Sequence, residues 1–222
     1  MKKLILPLLL LVAFGMLAAV ESDPSAVVGY VKYPCVAGDN LVAMPMVDGV
    51  TLVSEFALPY NDMDDINTVQ LWDPDTQDWT ACTNYGGNFF DPDLPVGPGS
   101  VLFLNTNQAI NYYSIGSLPA TNAQYTIVSG DNTAMIPLNK SDLTLVSEVG
   151  TSMGPNDEIN TIQLWNQVTQ DWDANTNYGG NFFDPDPAVT IGMPMFLNSS
   201  SATPIVWPAG PRGLIMNSRN SK

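Results

Sequence analysis

The stretch INTVQLWDPDTQDWTACTNYGGNFFDPD, residues 66–93, occurs a second time as INTIQLWNQVTQDWDANTNYGGNFFDPD at residues 159–186. The match extends at a constant offset of 93, so that residues 51–94 and 144–187 are identical at 28 of 44 positions. Such a match indicates a tandem duplication. Each copy spans roughly 90 residues, which is long enough to close a small core of its own.

The local pattern within each copy is that of strands joined by turns. Residues 66–72 and 78–83 are rich in β-branched and aromatic residues and flank the turn residues 73–77, which predicts a tight hairpin. Further strands are expected at residues 27–36, 41–46, 99–105 and 109–114. We therefore predict a mainly β protein of two tandem homologous small β-sandwich or barrel-like modules.

One short helix is expected in each copy. In the second copy the pattern predicts a helix over residues 143–149, with Ser141 or Asp142 as its N-cap and Gly150 as its stop. The corresponding helix of the first copy is expected over residues 52–57.

The first twenty residues predict a secretory signal peptide. Lys2 and Lys3 precede an apolar run over residues 4–17, and small residues around Ala19 offer a cleavage site. An uncleaved membrane anchor is the alternative, because the run approaches the roughly 20 residues that span a bilayer. No later segment is apolar enough to span a membrane. The predicted organisation is a signal peptide at 1–20, β repeat modules at 26–118 and 122–210, and a C-terminal tail at 211–222.

The charge of the chain excludes one class of partner. There are 22 acidic and 7 basic residues and no histidine. Loss of Lys2 and Lys3 with the signal would leave a net charge of −17, which argues against binding a nucleic-acid backbone. Without histidine the usual general base and the commonest metal ligand are missing, so we expect a protein that is not an enzyme.

Three motifs of the first copy resemble a known repeat. GDNLVAMPM (38–46), INTVQLWDPDTQDW (66–79) and LPVGPGSVLFLN (94–105) are similar to a module of secreted and surface proteins of Gram-negative-type bacteria. Its pattern is G-x-N-L-[IV]-x-x-P, then W-D-x-x-T-x-x-W, then P-G-x-G-[FY]. The second copy departs from it at residues 166–168 and 190–193. The resemblance implies a secreted, periplasmic or cell-surface β module, and no established biochemical activity comes with it.

Paired tryptophans are the first candidates for a ligand or partner surface. Trp72 and Trp79, repeated as Trp165 and Trp172, flank the hairpin turn at positions that face each other. Strand alternation puts Trp72 on the strand face opposite Val69. The pairs could be exposed, as a platform on which sugar rings stack, or buried under the following loop as ordinary sheet contacts.

A second candidate is the loop TNYGGNFFDPD at residues 83–93, which recurs unchanged at 176–186. Its glycine pair, Asn and Asp-Pro predict a structured loop. We expect Phe89 and Phe90 to plug the module and include Tyr85 and Tyr178 in the predicted partner surface. A demanding loop geometry would explain the identity as well as a binding role would.

Acidic residues in the same loops could bind calcium. Asp91 and Asp93, repeated as Asp184 and Asp186, supply the oxygen ligands that calcium prefers. No run matches an EF-hand loop. The alternative is solvated charge that keeps the protein soluble, and no other cofactor is expected.

The two cysteines, Cys35 and Cys82, both lie in the first copy. In an oxidising compartment two cysteines in one module predict a disulfide. Free thiols are the alternative, and two cysteines are too few for a zinc tetrad.

The sequence thus predicts a secreted or cell-surface structural or interaction protein, with an extracellular protein or a glycan as its partner. A carbohydrate-binding module that uses the tryptophan hairpins is the first alternative. A glycosidase-like enzyme is the second, since two carboxyl groups about 5 to 10 Å apart could hydrolyse a glycosidic bond.

Overall fold

The computed structural model describes residues 28–60, 64–121, 123–154 and 157–209. Within these ranges the protein is mainly β, with two similar groups of sheets and two short α-helices. The predicted fold class is confirmed. The predicted signal peptide and C-terminal tail lie outside the described residues, as do the predicted module boundaries at residues 26, 122 and 210.

The first copy pairs a five-stranded antiparallel sheet with a two-stranded ribbon. The sheet has the order β2-β6-β3-β4-β5, and β1 pairs with β7 along its full length. The elements are β1 (Val28–Cys35), β2 (Gly38–Ala43), α1 (Val53–Ala57), a 3-10 turn (Leu58–Tyr60), β3 (Ile66–Asp73), β4 (Asp78–Asn84), β5 (Phe90–Asp91), β6 (Val101–Thr106) and β7 (Ile110–Ser117).

The second copy repeats this topology. Its sheet has the order β9-β13-β10-β11-β12, and β8 pairs with β14 in a ribbon of only three residue pairs. The elements are β8 (Tyr125–Ile127), β9 (Gly130–Met135), α2 (Val146–Met153), β10 (Ile159–Asn166), β11 (Asp171–Asn177), β12 (Phe183–Asp184), β13 (Pro194–Ser199) and β14 (Ile205–Trp207).

Each copy has an apolar core between the sheet, the ribbon and the helix, and Met135 of the second copy packs into the first core. Val69 of β3 and Phe56 of α1 belong to the first core, and Ile162 of β10 and Val149 of α2 occupy similar places in the second. Burial of these apolar side chains is the main favourable contribution to folding. Trp207 is almost fully buried and completes the second core.

The second strand begins three residues earlier than predicted, at Gly38 rather than Leu41. The Asn40 side chain explains this shift. Its Oδ1 accepts from the Val36 backbone N–H at 2.9 Å, and its Nδ2 donates to the Val36 carbonyl at 2.8 Å. The amide thereby closes a very tight turn, and ladder pairing with β6 can start at Gly38.

The predicted start of the second helix was wrong, whereas α1 begins at Val53, one residue after its predicted start. Neither Ser141 nor Asp142 caps α2, which begins at Val146. The Glu148 carboxylate instead reaches back to the Thr144 N–H at 2.6 Å, and Glu55 of α1 accepts from the Thr51 N–H at 2.8 Å in the same way. These bonds satisfy N–H groups next to the helix start that have no partner inside the helix, and they lower the pKa of both glutamates.

Gly150 does not stop α2, which continues to Met153. A side chain at Gly150 would overlap the ring of Phe183, which is almost fully buried. The glycine therefore permits a close approach between the helix and the repeated loop.

The predicted disulfide was also wrong, because Cys35 and Cys82 are both free and buried. Cys35 lies in the ribbon opposite Ile110, whereas Cys82 lies in the five-stranded sheet opposite Val69. The prediction counted cysteines and assumed an oxidising compartment, and neither fixes which sheet a strand joins. Burial raises the pKa of Cys35 to about 11.

Candidate functional site

The tryptophan hairpin forms as predicted in both copies. In the first copy β3 ends at Asp73, β4 begins at Asp78, and Trp72 pairs with Trp79 across the strands. Their ring centroids are 5.3 Å apart in an edge-to-face arrangement. The second pair, Trp165 and Trp172, repeats this geometry at 5.1 Å.

A phenylalanine of the other copy covers each tryptophan pair. Phe196 of β13 meets Trp72 edge to face, with centroids 4.9 Å apart, and stacks on Trp79 at 5.8 Å. Phe103 of β6 makes the corresponding contacts with Trp165 at 4.9 Å and Trp172 at 6.0 Å. The six rings form one aromatic cluster between the copies, and its members are Trp72, Trp79, Phe103, Trp165, Trp172 and Phe196.

Hydrogen bonds from the first hairpin join this cluster to the second copy. The Trp72 Nε1 and the Gln77 Nε2 each donate to the Asp131 carbonyl at 2.9 Å. The Asp131 backbone N–H donates in return to the Gln77 Oε1 at 2.6 Å. One glutamine amide thus satisfies both backbone groups of a residue in the other copy.

The second hairpin makes the same bonds to the first copy. Trp165 and Gln170 both donate to the Asp39 carbonyl at 2.9 Å, and the Asp39 N–H donates to the Gln170 Oε1 at 2.6 Å. Gln77 and Gln170 have φ values of 56° and 54°, a left-handed conformation that is uncommon for residues other than glycine. The conformation occurs where the amide side chain bonds the opposite copy.

A further pair of reciprocal bonds joins the copies. The Tyr33 hydroxyl donates to the Gly192 carbonyl at 2.6 Å, and the Tyr125 hydroxyl donates to the Gly99 carbonyl at 2.9 Å. Each of these hydrogen bonds from copy one to copy two thus has a matching bond in the opposite direction. This reciprocity defines an isologous interface, the kind that relates two subunits by a two-fold axis.

The face of the hairpin that carries Trp72 therefore packs against the other copy. It is neither an open platform nor buried under the following loop. The partners Gln77, Gln170, Phe103 and Phe196 were not predicted from the sequence. A signal for the two glutamines was present, because the G-D-N motif at residues 38–40 and the T-Q-D-W motif at 76–79 are both kept in both copies. In the structure each G-D-N segment binds the T-Q-D-W turn of the other copy.

The repeated loop differs from the hairpin turn, because two of its aromatic side chains are largely exposed to solvent. Tyr85 and Phe89 are 69% and 63% exposed, and their equivalents Tyr178 and Phe182 are 71% and 63% exposed. Of the phenylalanines expected to plug the first module, only Phe90 is buried. The prediction for Phe89 was wrong because Phe90 faces the core from β5 while Phe89 precedes the strand.

Most other residues of the loop hold its shape. The Asn84 Oδ1 accepts from the Gly86 N–H at 3.0 Å, and the Asp64 Oδ1 accepts from the Gly87 N–H at 2.9 Å. The Tyr85 N–H donates to the Phe89 carbonyl at 2.8 Å, so the two aromatic residues lie at the base of a closed turn.

The second loop is held in the same way. The Asp157 carboxylate accepts from the backbone N–H groups of Gly180 and Asn181, and these bonds lower its pKa. The Tyr178 N–H donates to the Phe182 carbonyl at 2.8 Å.

The acidic residues of the loops divide into two roles. Asp93 accepts from the Ser54 N–H and Oγ at 2.9 and 2.7 Å, and Asp186 accepts from Ser147 at 2.8 and 2.7 Å, so both carboxylates bind the first turn of a helix. Asp91 and Asp184 are exposed. Among the described residues no three acidic or cysteine side chains are grouped as metal ligands. Calcium binding stays a prediction.

An open cavity of about 420 Å³ lies beside α2 and includes two carboxylates, Asp142 and Glu148. Glu148 already accepts from the N–H and hydroxyl of Thr144, and its lowered pKa keeps it ionised. A glycosidase needs a carboxylic acid whose pKa is raised so that it can donate a proton. Glu148 is therefore unsuited to that role.

The comparisons with known proteins add no relative. The chain matches no protein-family model, no curated protein and no solved structure. Within the described ranges no helix has the length and apolar character needed to cross a membrane.

Proposed function

We propose that this chain is a non-enzymatic interaction protein of the bacterial cell exterior, secreted or held at the surface. Its two β copies form one body through the aromatic cluster, and that body presents the repeated loop twice. The N-terminal signal pattern supports export. The resemblance of its motifs to secreted β modules supports the same location.

One observation carries the proposal: both copies keep a tyrosine and a phenylalanine whose side chains stay more than 60% exposed in the folded chain. Asn84, Gly86, Gly87, Phe90 and Asp93 each have a structural task, in a hydrogen bond, a left-handed turn or the core. The side chains of Tyr85 and Phe89 contact each other, with ring centroids 6.4 Å apart, but stay outside the core, and their equivalents are identical and similarly exposed. Exposed aromatic side chains that recur in this way are typical of contact surfaces.

Carbohydrate binding is the second candidate function, and the same loops favour it. An exposed tyrosine ring can stack on the apolar face of a sugar, and neighbouring polar groups can bond its hydroxyls. Asp91 follows Phe90 directly and is exposed, as is Asp184 in the second copy. The predicted platform therefore moves from the tryptophan hairpins to Tyr85 and Tyr178.

A glycan array with the purified chain tests this proposal. The fourfold variant Tyr85→Ala, Phe89→Ala, Tyr178→Ala, Phe182→Ala should lose every signal that the unmodified protein gives. Tyr30→Ala is a matched control, since Tyr30 is also 69% exposed but lies on β1. It should bind unchanged. Signals that survive the fourfold change would refute the loop assignment, and chain shortening of a bound glycan would refute the non-enzymatic character.

A further inference from the structure

We infer that the two aromatic loops bind separate polysaccharide chains, so that one molecule cross-links neutral β-linked polysaccharides. The inference rests on the proposed function and adds its ligand class and valency. We define loop site 1 as Tyr85 and Phe89, and loop site 2 as Tyr178 and Phe182.

The two loop sites are equivalent in sequence and in exposure. The eleven residues around each site are identical, and the paired side chains differ by at most two percentage points in exposure. The same backbone bond, from the tyrosine N–H to the phenylalanine carbonyl, closes both turns at 2.8 Å. Whatever binds loop site 1 should therefore bind loop site 2 with the same affinity.

The loop sites lie at the outer ends of the hairpins. The turn between β3 and β4 contacts the other copy through Gln77, whereas loop site 1 follows the far end of β4 at Asn84. Six residue steps of about 3.4 Å place that end roughly 20 Å from the turn. The same holds for β11 in the second copy. Each site can thus be occupied without obstruction by the aromatic cluster.

The isologous interface fixes how the sites are oriented. A two-fold axis that relates the copies also relates the loop sites, so the line that joins them is perpendicular to the axis and every direction along that line is reversed between them. A polysaccharide chain has a reducing and a non-reducing end and lacks two-fold symmetry. One straight chain that fits the first site would therefore run in the wrong direction past the second. Two separate chains, one at each site, satisfy both sites at once.

The chemistry of the surface favours neutral polymers. The chain has a net charge of −15, and the exposed Asp91 and Asp184 lie next to the loop sites, so anionic polymers are repelled. In β-1,4-linked glucose and N-acetylglucosamine chains the ring substituents are equatorial, which leaves flat apolar faces for tyrosine and phenylalanine.

The test uses two soluble neutral β-linked polymers, hydroxyethyl cellulose and glycol chitin. Binding is measured by retardation in gels that contain the polymer, and cross-linking by the viscosity of dilute polymer solutions. The variants are the site 1 pair Tyr85→Ala with Phe89→Ala, the site 2 pair Tyr178→Ala with Phe182→Ala, and all four together. Tyr30→Ala is the control.

The unmodified chain and the control should be retarded by at least one polymer and raise its viscosity. Either pair variant should still be retarded, but it should not raise viscosity, and it should dissociate roughly 100-fold or more faster from a dense polymer surface. The fourfold variant should not bind. Pair variants that still raise viscosity would overturn cross-linking alone. Loop-independent retardation would overturn the proposed loop function, and no retardation of the unmodified chain by either polymer would overturn the ligand class alone.

Discussion

The two ends of the tryptophan hairpin carry aromatic side chains of similar size but have different surroundings. At the turn end, Trp72 and Trp79 pack against Phe196 of the other copy. At the loop end, Tyr85 and Phe89 are more than 60% exposed. The turn of this hairpin therefore joins the copies, whereas the aromatic side chains of the loop at its other end are exposed to solvent.

The turn end also contributes much of what holds the copies together. Edge-to-face aromatic pairs contribute about 0.5 to 1.5 kcal/mol each beyond their buried area. The bidentate bonds of Gln77 and Gln170 add directional contacts. The duplicated chain therefore has the interface of a symmetric dimer within one polypeptide.

Replacing a phenylalanine at each end of the hairpin should give the largest difference in the free energy of unfolding. Phe196→Ala or Phe103→Ala removes the ring that covers a tryptophan pair and should lower the free energy of unfolding by about 2 to 4 kcal/mol. Phe89→Ala is the matched substitution at the loop end and should change it by less than about 0.5 kcal/mol. Urea denaturation followed by tryptophan fluorescence measures all three. Equal losses at both ends would contradict the contrast.

The glutamines of the turn test whether the interface is symmetric. Gln77→Ala and Gln170→Ala should each lower the free energy of unfolding by about 1 kcal/mol, because each leaves the backbone N–H of an aspartate without its partner while the carbonyl keeps its bond from a tryptophan. The two losses should be equal and additive, since the sites share no residue. A large loss for one and none for the other in urea denaturation would show that the copies are not docked reciprocally.

Removing the two carboxylates at the helix starts should have a smaller effect on stability, and that effect should depend on pH. Hydrogen bonds lower the pKa of Glu55 and Glu148 below the ordinary value of 4.5. Their contribution is therefore complete above pH 4.5 and is lost as the pH falls through the lower folded-state pKa. The double variant Glu55→Gln, Glu148→Gln should have a lower Tm at pH 7 and an unchanged Tm at pH 2. A constant Tm difference from pH 7 to pH 2 would count against this role.

Adding a reductant should have no effect on stability, because neither cysteine is in a disulfide. Both thiols are free and buried, so dithiothreitol should leave the Tm unchanged. A thiol reagent should react with neither cysteine in the folded chain, since burial raises the pKa of both, and with two per chain in urea. Recovery of no thiol in urea would restore the predicted disulfide.

The sequence predicted the hairpin because its determinants are local. Alternating residues and the Asp73–Gln77 turn place Trp72 opposite Trp79 without help from the rest of the chain. The same alternation put Trp72 on the outward face. What covers that face could not be predicted, because Phe196 is 124 positions away and only the docking of the copies brings it there.

Three other predictions failed for the same reason, because contacts made elsewhere in the fold decided the outcome. Gly150 looks like a helix stop, but its task is set by Phe183, whose position depends on the loop after β11. Phe89 and Phe90 are indistinguishable by composition, and the strand phase of β5 decides which of them enters the core. Pairing of Cys35 with Cys82 depended on sheet membership, which sequence spacing does not reveal.

A double-mutant cycle between Trp72 and Phe196 tests whether each hairpin turn binds the other copy. These two residues contact each other only in that arrangement. Trp72→Ala, Phe196→Ala and their combination are compared by urea denaturation, with Trp165 and Phe103 as the matching cycle. We expect a coupling free energy of about 1 kcal/mol between the two side chains in each cycle, within the range for aromatic pairs. Additivity within about 0.3 kcal/mol in both cycles would contradict it.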